Sequence, residues 1–421
     1  MAPRRAGQWE TLAVMVDRAE TRARIAATAL AACSAAVTYS IQARFYALGA
    51  FAQYDVIFNA DTVAYLRIFA DGPTRFDYRH PALPLFGHLP VVAASWVVGA
   101  AVSRDVLTLL LVALVAAART LILFALFRRI TGGLLAAALL CCIDIVAAST
   151  VTVGGIPESY VFSAVCIAAM FWLAARERAS AASWLGVATI AIGVTVTNAM
   201  AVGLLGVPTL QRGGYSRRRA GVITAGLIVL ALAIDTAVAA GLAGYFNYEI
   251  VIVETSGRFV HPPELGGAAQ LVWTVGHTLL APAPTTAPLS SPAAAHLPFN
   301  FMFGYGPSFI HGWGSLWRAV ATALLVGLGG WGAACNARYR PLYVSGTLLV
   351  AANVVLHLFY GRWYFLYTPH WQPALVVMIA GAALLPGRMR PVGMAALALF
   401  ALLAAASTTA ILTEMFTRLA A

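Results

Sequence analysis

The stretch DVLTLLLVALVAAARTLILFALFRR, residues 105–129, is the clearest indication of the fold in this chain. It is an apolar run of about twenty residues that is interrupted only by Arg119 and that ends on Arg128 and Arg129. As a helix, a run of this length crosses the hydrocarbon core of a bilayer, which is about 30 Å thick. The stretch therefore predicts a transmembrane helix with one charge inside the membrane and two at its end.

Similar apolar runs recur along most of the 421 residues, so residues 1–421 are predicted to form a single membrane domain. Hydrophobic residues make up 61% of the chain, charged residues 10%, and the mean hydropathy is +0.81. A water-soluble fold cannot bury that much apolar surface, because folded proteins keep a polar coat. We predict an all-α polytopic membrane protein. The basic stretch up to Arg24 leads into an uninterrupted apolar run, which indicates a retained first helix rather than a cleaved signal.

Arginine accounts for all 27 basic residues and for the net charge of +11. In a membrane protein such an excess indicates cytoplasmic loops rather than nucleic-acid binding, so no nucleic-acid partner is expected. One threading puts every arginine cluster, and the N-terminus, on the cytoplasmic side. It predicts about eleven transmembrane helices, at residues 25–46, 105–128, 132–152, 156–175, 181–197, 199–211, 219–243, 315–335, 341–360, 366–386 and 391–413.

Two segments have to depart from a simple crossing for this threading to hold. Residues 83–102, which contain two prolines, a histidine and a tryptophan, must not cross fully. They are predicted to form an interfacial or re-entrant helix in the first outer loop. Residues 181–211 must break near Asn198, which gives two short helices that meet at the outer face.

The threading leaves two long polar loops on the outer side, residues 51–104 and 244–314, and all eight histidines on or near that side. None of the histidines forms an H-x-x-x-H motif, and the five cysteines lack C-x-x-C spacing. The sequence therefore predicts no disulfide framework, no metal site and no cofactor, while it leaves the use of a divalent ion open.

Three charges lie inside predicted spans, at Arg119, Asp144 and Asp235. An unpaired charge there costs at least about 2.5 kcal/mol. Arg119 and Asp144 lie on adjacent helices at depths that differ by roughly 5 Å, so they are predicted to form a buried ion pair. The pair is either structural or part of a proton or ion path. Asp235 is either neutral or lines a cavity that opens outward.

Several short motifs fall at the outer ends of the predicted helices. They read ADTVAY at 60–65, RHPALPL at 79–85, IPESY at 156–160, VTNA at 196–199 and FLYTPHW at 365–371. Together with the topology they resemble the GT-C class of integral membrane glycosyltransferases, whose first outer loop carries an acidic motif, then a basic residue and a proline before an interfacial helix. Thr62 stands where a second acid often does in that class, which weakens the case for metal binding by paired carboxylates.

The resemblance implies a GT-C-like fold and transfer from a polyprenyl-phosphate-linked sugar to an envelope glycan or glycolipid, among the lipids of a bacterial inner membrane and at its outer face. Such a transfer needs one carboxylate that removes a proton from the acceptor hydroxyl. The phosphate leaves as an anion and needs no general acid, so one carboxylate can suffice where hydrolases use two. Positive charge or hydrogen-bond donors must receive the phosphate. A single displacement of this kind inverts the anomeric configuration.

The resemblance assigns roles to particular residues. Asp61 is expected to be the general base, with Asp55 as its competitor, although either could instead cap a short helix. The donor phosphate is expected to bind Arg79, His80, Arg362 and His370, for which lipid headgroup contact or anchoring is the structural alternative. Contacts to the acceptor and the rest of the substrate are expected from Tyr65, Glu158, Arg258, His261, Glu264 and Tyr367. Glu158 could also serve only to stabilise the first turn of its helix.

Two other function classes are compatible with the sequence. A multi-pass transporter or a lipid or glycolipid flippase would use Arg119, Asp144 and Asp235, although no inverted repeat is visible. A membrane acyltransferase would need an intramembrane histidine beside an Asp or Asn, for which His357 with Asn353 is the candidate pair. A transferase concentrates its essential polar residues in the outer loops, whereas a transporter concentrates them at mid-membrane.

Overall fold

The computed structural model describes residues 6–53, 56–58, 60–74, 79–176, 179–246, 260–282, 284–288, 297, 299–302, 313–361 and 364–421. Within these ranges the chain is almost entirely helical, with one two-stranded antiparallel sheet. This agrees with the predicted all-α class. In lipid, a helix satisfies all of its backbone hydrogen bonds internally, which an isolated strand cannot do.

The helices of the first half of the described chain range in length from 4 to 42 residues. In chain order they are α1 (Ala6–Ala47), α2 (Thr62–Asp71), α3 (Leu83–Phe86), α4 (His88–Val98), α5 (Arg104–Thr131), α6 (Leu134–Val146), α7 (Ala148–Thr152), α8 (Ser159–Ala174), α9 (Ala181–Val194) and α10 (Ala199–Arg212). Short 3₁₀ turns lie at Gly99–Ala101 and Val196–Asn198.

The second half of the described chain adds longer helices and the small sheet. Its elements are α11 (Arg217–Phe246), α12 (Leu265–His277), β1 (Thr285–Pro288), β2 (Phe299–Met302), α13 (Trp313–Cys335), α14 (Arg340–Phe359), α15 (Gln372–Ile379) and α16 (Met389–Ala420). Further 3₁₀ turns lie at Tyr364–His370 and Ala380–Leu384. The β2 strand also contacts the first loop, because Phe58 donates its N–H to the carbonyl oxygen of Phe301 at 3.1 Å.

Seven helical segments in the described part are long and apolar enough to cross a membrane. Six of them, α1, α5, α11, α13, α14 and α16, coincide with predicted spans. Shorter helices occupy the other predicted spans: α6 with α7, α8, α9, α10 and α15. The seventh long segment is Leu83–Ala101, which the threading predicted not to cross.

One end of the bundle, here called the arginine end, is where arginine side chains meet the ends of helices. Arg129, near the end of α5, donates from Nε to the carbonyl oxygen of Ala175 just after α8, at 2.8 Å. Arg212, the last residue of α10, donates to the carbonyl oxygen of Ala174. Two arginine clusters that the threading placed on one side of the membrane therefore lie at one end of the bundle.

The opposite end, here called the loop end, is where α1 and α16 finish and α5 begins. Tyr46, near the end of α1, donates from its hydroxyl to Asp105 of α5 at 2.8 Å. The ring of Phe45 packs against that of Phe416 of α16, with ring centroids 5.0 Å apart. These contacts make α1 and α16 neighbours at this end and set α5 antiparallel to α1.

The segment Leu83–Ala101 begins and ends at the loop end. Before it, Ala82 donates its N–H to the carbonyl oxygen of Gly193 at 2.8 Å, near the end of α9. After it, Arg104 donates to the carbonyl oxygen of Ala70 at 3.1 Å. The 11 residues of α4 extend only about 16 Å, which is about half the thickness of the hydrocarbon core. Both ends of the segment therefore lie at the loop end of the bundle.

The predicted ion pair between Arg119 and Asp144 is confirmed, and it lies in the buried centre of the bundle. Arg119 Nη2 lies 2.9 Å from Asp144 Oδ2, with the two side chains 0% and 1% exposed. Gln372 donates from Nε2 to Asp144 Oδ1 at 2.9 Å, and Arg119 Nη2 also donates to the Thr150 hydroxyl at 2.9 Å. These contacts join α5, α6, α7 and α15 at one point.

Asn198 and Asp235, the predicted helix-break residue and the third charge inside a predicted span, are both buried. Asn198 ends the 3₁₀ turn that separates α9 from α10, donates from Nδ2 to the carbonyl oxygen of Ala191 at 2.9 Å, and accepts from the Ser163 hydroxyl at 2.8 Å. It satisfies backbone groups at the helix break, as predicted. Asp235 of α11 is buried against Gly193, and its Oδ2 atom has no hydrogen-bond partner among the described residues.

We expect Asp144→Asn and Arg119→Gln each to destabilise the protein. Each change leaves a buried charge without its counter-ion, which costs about 3–5 kcal/mol. The double variant should be destabilised by less than the sum of the two, because it leaves no unpaired charge. Thermal unfolding of the purified protein in detergent, followed by tryptophan fluorescence, measures these differences.

The control for this experiment is Glu20→Gln, which removes an exposed ion pair between Glu20 and Arg24 at 3.5 Å. Exposed pairs contribute little, so this variant should melt close to the wild type. Strictly additive effects of Asp144→Asn and Arg119→Gln would contradict a stabilising contact between the two residues.

Candidate functional site

The candidate site lies at the loop end, where the first loop meets the break between α9 and α10. The carbonyl oxygen of Arg79 accepts from the N–H of Val196 at 3.1 Å. The Nδ1 atom of His80 lies 2.7 Å from the carbonyl oxygen of Val194. A carbonyl oxygen only accepts hydrogen bonds, so this His80 nitrogen carries a proton. The RHPALPL and VTNA motifs, far apart in sequence, are therefore in direct contact.

Asp61 is exposed and immediately precedes α2. Its backbone carbonyl oxygen accepts from the N–H groups of Ala64 and Tyr65 at 2.9 and 3.1 Å, whereas its side chain makes no capping hydrogen bond. One turn later, Tyr65 places its ring edge-on to those of Phe69 and His80, each with ring centroids 6.0 Å apart. The start of α2 thus fixes Asp61 through its backbone rather than through its carboxylate.

Glu158 is a buried carboxyl group close to Asp61. Its Oε2 atom accepts from the backbone N–H of Ser159 at 2.7 Å and from the Ser159 hydroxyl at 3.1 Å, so it caps α8. Burial, and next the negative charge of Asp61, raises the pKa of Glu158 from 4.5 to about 8, against the lowering effect of the Ser159 hydrogen bonds and of Arg79. At neutral pH, Glu158 is therefore mostly protonated. The mutual influence also means that Asp61, Glu158 and Arg79 are near neighbours.

A cavity of about 240 Å³ opens beside these groups. Its wall comes from the first loop, the start of α8, the turn between α9 and α10, the end of α14 and the 3₁₀ turn Tyr364–His370. The volume is a little below the roughly 300–1,000 Å³ of sites for drug-sized ligands, which fits a group the size of one sugar. The lining residues are Arg79, His80, Tyr160, Thr195, Val196, Thr197, Leu356, His357, Tyr360, Tyr367 and His370.

His357 contributes a polar group to a part of the cavity wall that is otherwise aromatic. Its ring stacks on that of Tyr367, with centroids 4.0 Å apart. Its Nδ1 atom lies 2.9 Å from the carbonyl oxygen of Tyr360 and therefore carries a proton. Its Nε2 atom is buried and has no hydrogen-bond partner among the described residues. In the neutral ring this atom is an acceptor, which suits a ligand hydroxyl.

His370 also contacts Tyr367, with the two rings edge-on and their centroids 6.5 Å apart. Its ring is edge-on to that of Tyr160, with centroids 5.6 Å apart. Two residues before it, Thr368 donates to the Ser149 hydroxyl at 2.6 Å, which ties the turn to α7. Burial, and next the rings of His357 and His80, lowers the pKa of His370 to about 3. His370 therefore offers a neutral imidazole at neutral pH rather than a positive charge.

The remaining predicted residues lie at the rim or outside the described ranges. His261 donates its backbone N–H to the carbonyl oxygen of Phe359 at 2.9 Å, and its Nε2 atom lies 3.1 Å from the carbonyl oxygen of Gly361. Phe359 and Gly361 are the chain neighbours of the cavity residue Tyr360. Glu264 is exposed and immediately precedes α12. Outside the described residues lie Asp55, Arg258 and Arg362.

The described part of the chain thus brings together most of the predicted residues: Asp61, Tyr65, Arg79, His80, Glu158, Tyr367 and His370. Sequence reasoning did not assign four further polar lining residues, Tyr160, Thr195, Thr197 and Tyr360. It considered His357 only as an acyltransferase residue. Position could have indicated them, because each lies within a few residues of a motif or of the predicted helix break.

In the ranges that the structure describes, no group of three or more His, Cys, Asp or Glu side chains is arranged to hold a metal ion. Comparison with known proteins identifies no family, since no protein-family model and no curated protein sequence matches this chain. Function therefore has to be inferred from the geometry of the site itself.

We expect Glu158→Gln to gain stability over the wild type as the pH rises from about 5 to about 8. Glu158 has a pKa near 4.5 when unfolded and about 8 when folded, so within this window the unfolded state binds fewer protons. Wild-type stability therefore falls with rising pH across the window, and the glutamine variant has no such loss. Melting temperatures of both proteins across this range measure the stability difference between the variant and the wild type. This difference should stop growing above about pH 8.

The matched control is Glu264→Gln, since Glu264 is an exposed acid at the start of a helix. Its gap to the wild type should not widen in the same way, because an exposed carboxylate keeps its hydration. A pH-independent gap for Glu158→Gln would contradict the raised pKa.

Proposed function

We propose that the protein is an inverting glycosyltransferase that moves a sugar from a polyprenyl-phosphate donor to an envelope glycan or glycolipid. The observation that carries the proposal is that two carboxyl groups, Asp61 and Glu158, lie near Arg79 and His80, which line an aromatic cavity of single-sugar size. Aromatic rings and a few polar groups bind the two faces of a sugar, while a carboxylate and basic groups suit the chemistry of transfer.

In this proposal the two carboxyl groups have different roles because their surroundings differ. Asp61 is exposed and takes the proton of the acceptor hydroxyl while the hydroxyl oxygen attacks the anomeric carbon. The bond from that carbon to the phosphate oxygen breaks, and the phosphate keeps the electron pair. Glu158, mostly protonated at neutral pH, is proposed to add little negative charge beside Asp61 and to position the start of α8. Asp55 remains the alternative base.

The leaving phosphate is proposed to bind at the cavity wall. Arg79 supplies a permanent positive charge, and His370 supplies an imidazole N–H donor. The Nδ1 proton of His80 is used on the carbonyl oxygen of Val194, so His80 is proposed to bind the phosphate through Nε2 as an imidazolium. Arg362 belongs to the same proposed phosphate site. Tyr65, Tyr367, Arg258, His261 and Glu264 are proposed to contact the acceptor or the rest of the substrate.

The proposed setting is a bacterial inner membrane with the arginine end in the cytoplasm. Excess arginine marks cytoplasmic loops, and Arg129 and Arg212 lie together at that end. The loop end, with the site, then faces outward, where envelope acceptors are. In this arrangement the chain crosses about eleven times in a GT-C-like fold, and Leu83–Ala101 lies at the outer interface because both of its ends are at the loop end.

The main alternative, a transporter or flippase, would depend on Arg119, Asp144 and Asp235. Arg119 and Asp144 are engaged with each other, Gln372 and Thr150 in the buried centre of the bundle, as a structural pair would be. These observations favour the transferase, although Asp235 keeps one buried oxygen without a described partner.

We expect Asp61→Asn to reduce sugar transfer by about 10²–10⁴-fold, because the amide cannot accept the proton of the acceptor hydroxyl. The assay measures transfer of radiolabelled sugar from polyprenyl-phosphate sugars to membrane lipids and glycans, with and without EDTA. The matched control is Asp71→Asn, which changes an exposed aspartate at the other end of α2 and should leave transfer close to wild type.

Loss of transfer in Asp55→Asn with full activity in Asp61→Asn would move the base to Asp55. No transfer from any donor would contradict the proposal and favour the transporter. Loss of wild-type activity on addition of EDTA would show that the reaction uses a divalent ion, which the sequence leaves open.

A further inference from the structure

A second cavity lies at the arginine end, opposite the candidate site. It has a volume of about 430 Å³ and forms where α5, α8 and α10 end and where α13 turns into α14. Each of these four places contributes one arginine to its wall: Arg129, Arg176, Arg212 and Arg338. No carboxyl group lines the cavity in the part of the chain that the structure describes. Four arginines from separate parts of the sequence thus surround one space.

Capping of helix ends accounts for only part of this arrangement. Arg129 uses Nε for the carbonyl oxygen of Ala175 at 2.8 Å, which leaves its Nη1 and Nη2 atoms without a hydrogen-bond partner among the described residues. Arg212 caps Ala174 in a similar way. Arg176 makes no described hydrogen bond, and its guanidinium carbon lies 4.5 Å from the centroid of the Trp172 ring. Guanidinium donors therefore remain for a ligand.

The charges around the cavity do not balance. Each helix C-terminus carries roughly half a negative charge, and four helices, α5, α8, α10 and α13, end here. The start of α14 adds roughly half a positive charge. Arg338 has a partner of its own, and without it the charges of Arg129, Arg176 and Arg212 leave an excess of about one and a half positive charges among the described groups. An anion that carries one or two negative charges would neutralise this excess.

We propose that this cavity binds the phosphate of an anionic phospholipid headgroup. Guanidinium groups bind phosphate oxygens through paired N–H donors, which is why arginine is frequent where phosphate is recognised. Basic pockets between membrane helices on the cytoplasmic side bind such headgroups. Trp172, stacked with Arg176, is the residue type that lies at the level of the headgroups. Soluble phosphate shares this chemistry, so the test has to separate the two sources.

The test uses the purified full-length protein in a neutral detergent. It is titrated with short-chain phosphatidylglycerol, short-chain phosphatidylcholine or inorganic phosphate, and bound ligand is counted by native mass spectrometry. We expect phosphatidylglycerol to bind in preference to the other two. We expect Arg176→Gln with Arg338→Gln to weaken its binding by about fivefold for each arginine removed. Both residues are exposed, so this pair of changes is compatible with folding.

Two comparisons make the result specific to the cavity. Arg390→Gln removes an exposed arginine at the start of α16 that does not line the cavity, and it should bind phosphatidylglycerol like the wild type. Arg212→Lys keeps the charge but loses the planar donor group, and it should bind more weakly. Equally strong binding of phosphatidylglycerol and phosphatidylcholine would contradict a site for anionic headgroups. A loss of phosphatidylglycerol binding in Arg390→Gln as large as that in the double variant would contradict its location in this cavity. Tighter binding of inorganic phosphate would overturn the assignment to a lipid. The assay reads binding rather than sugar transfer, so its result is independent of the proposed function.

Discussion

The buried ion pair between Arg119 and Asp144 is the contact on which the rest of the structure depends. Two charges in a low-dielectric interior are tolerable only as neighbours with further hydrogen bonds, so the pair holds α5 and α6 in register and draws in Gln372 of α15 and Thr150 of α7. The preceding residue of α7, Ser149, accepts a hydrogen bond from Thr368. The turn that carries Tyr367 and His370 into the cavity is therefore anchored, within two contacts, to the central ion pair.

The candidate site lies where helices of the bundle are interrupted. Where a helix breaks, backbone groups are released, and they have to find partners at the same place. The break at Val196–Asn198 uses Asn198 for this purpose and also presents Val194 and Val196 to the first loop, which binds there through Arg79 and His80. Breaks, loops and the start of α8 thus meet at one end of the bundle.

The sequence predicted the helical class, six of the seven described segments that are long and apolar enough to cross a membrane, the break at Asn198 and the central ion pair, because each depends on apolar length or on the high cost of a charge in lipid. It also placed the candidate residues at helix ends. It could not show that the RHPALPL and VTNA motifs touch, that Glu158 is buried beside Asp61, or that His357 stacks on Tyr367. Those contacts depend on how helices far apart in the chain are arranged side by side, which apolar periodicity does not specify. The convergence of four arginines on one cavity was hidden for the same reason.

The loop end is proposed to transfer a sugar by a single displacement with one carboxylate base. The most direct measurement is the anomeric configuration of the product, determined by NMR after the wild-type protein, reconstituted in liposomes, has acted on a polyprenyl-phosphate sugar of known configuration. The proposed mechanism predicts that the configuration is inverted. A product with the donor configuration retained would contradict the single-base mechanism, and no product from any donor would contradict the assignment as a transferase.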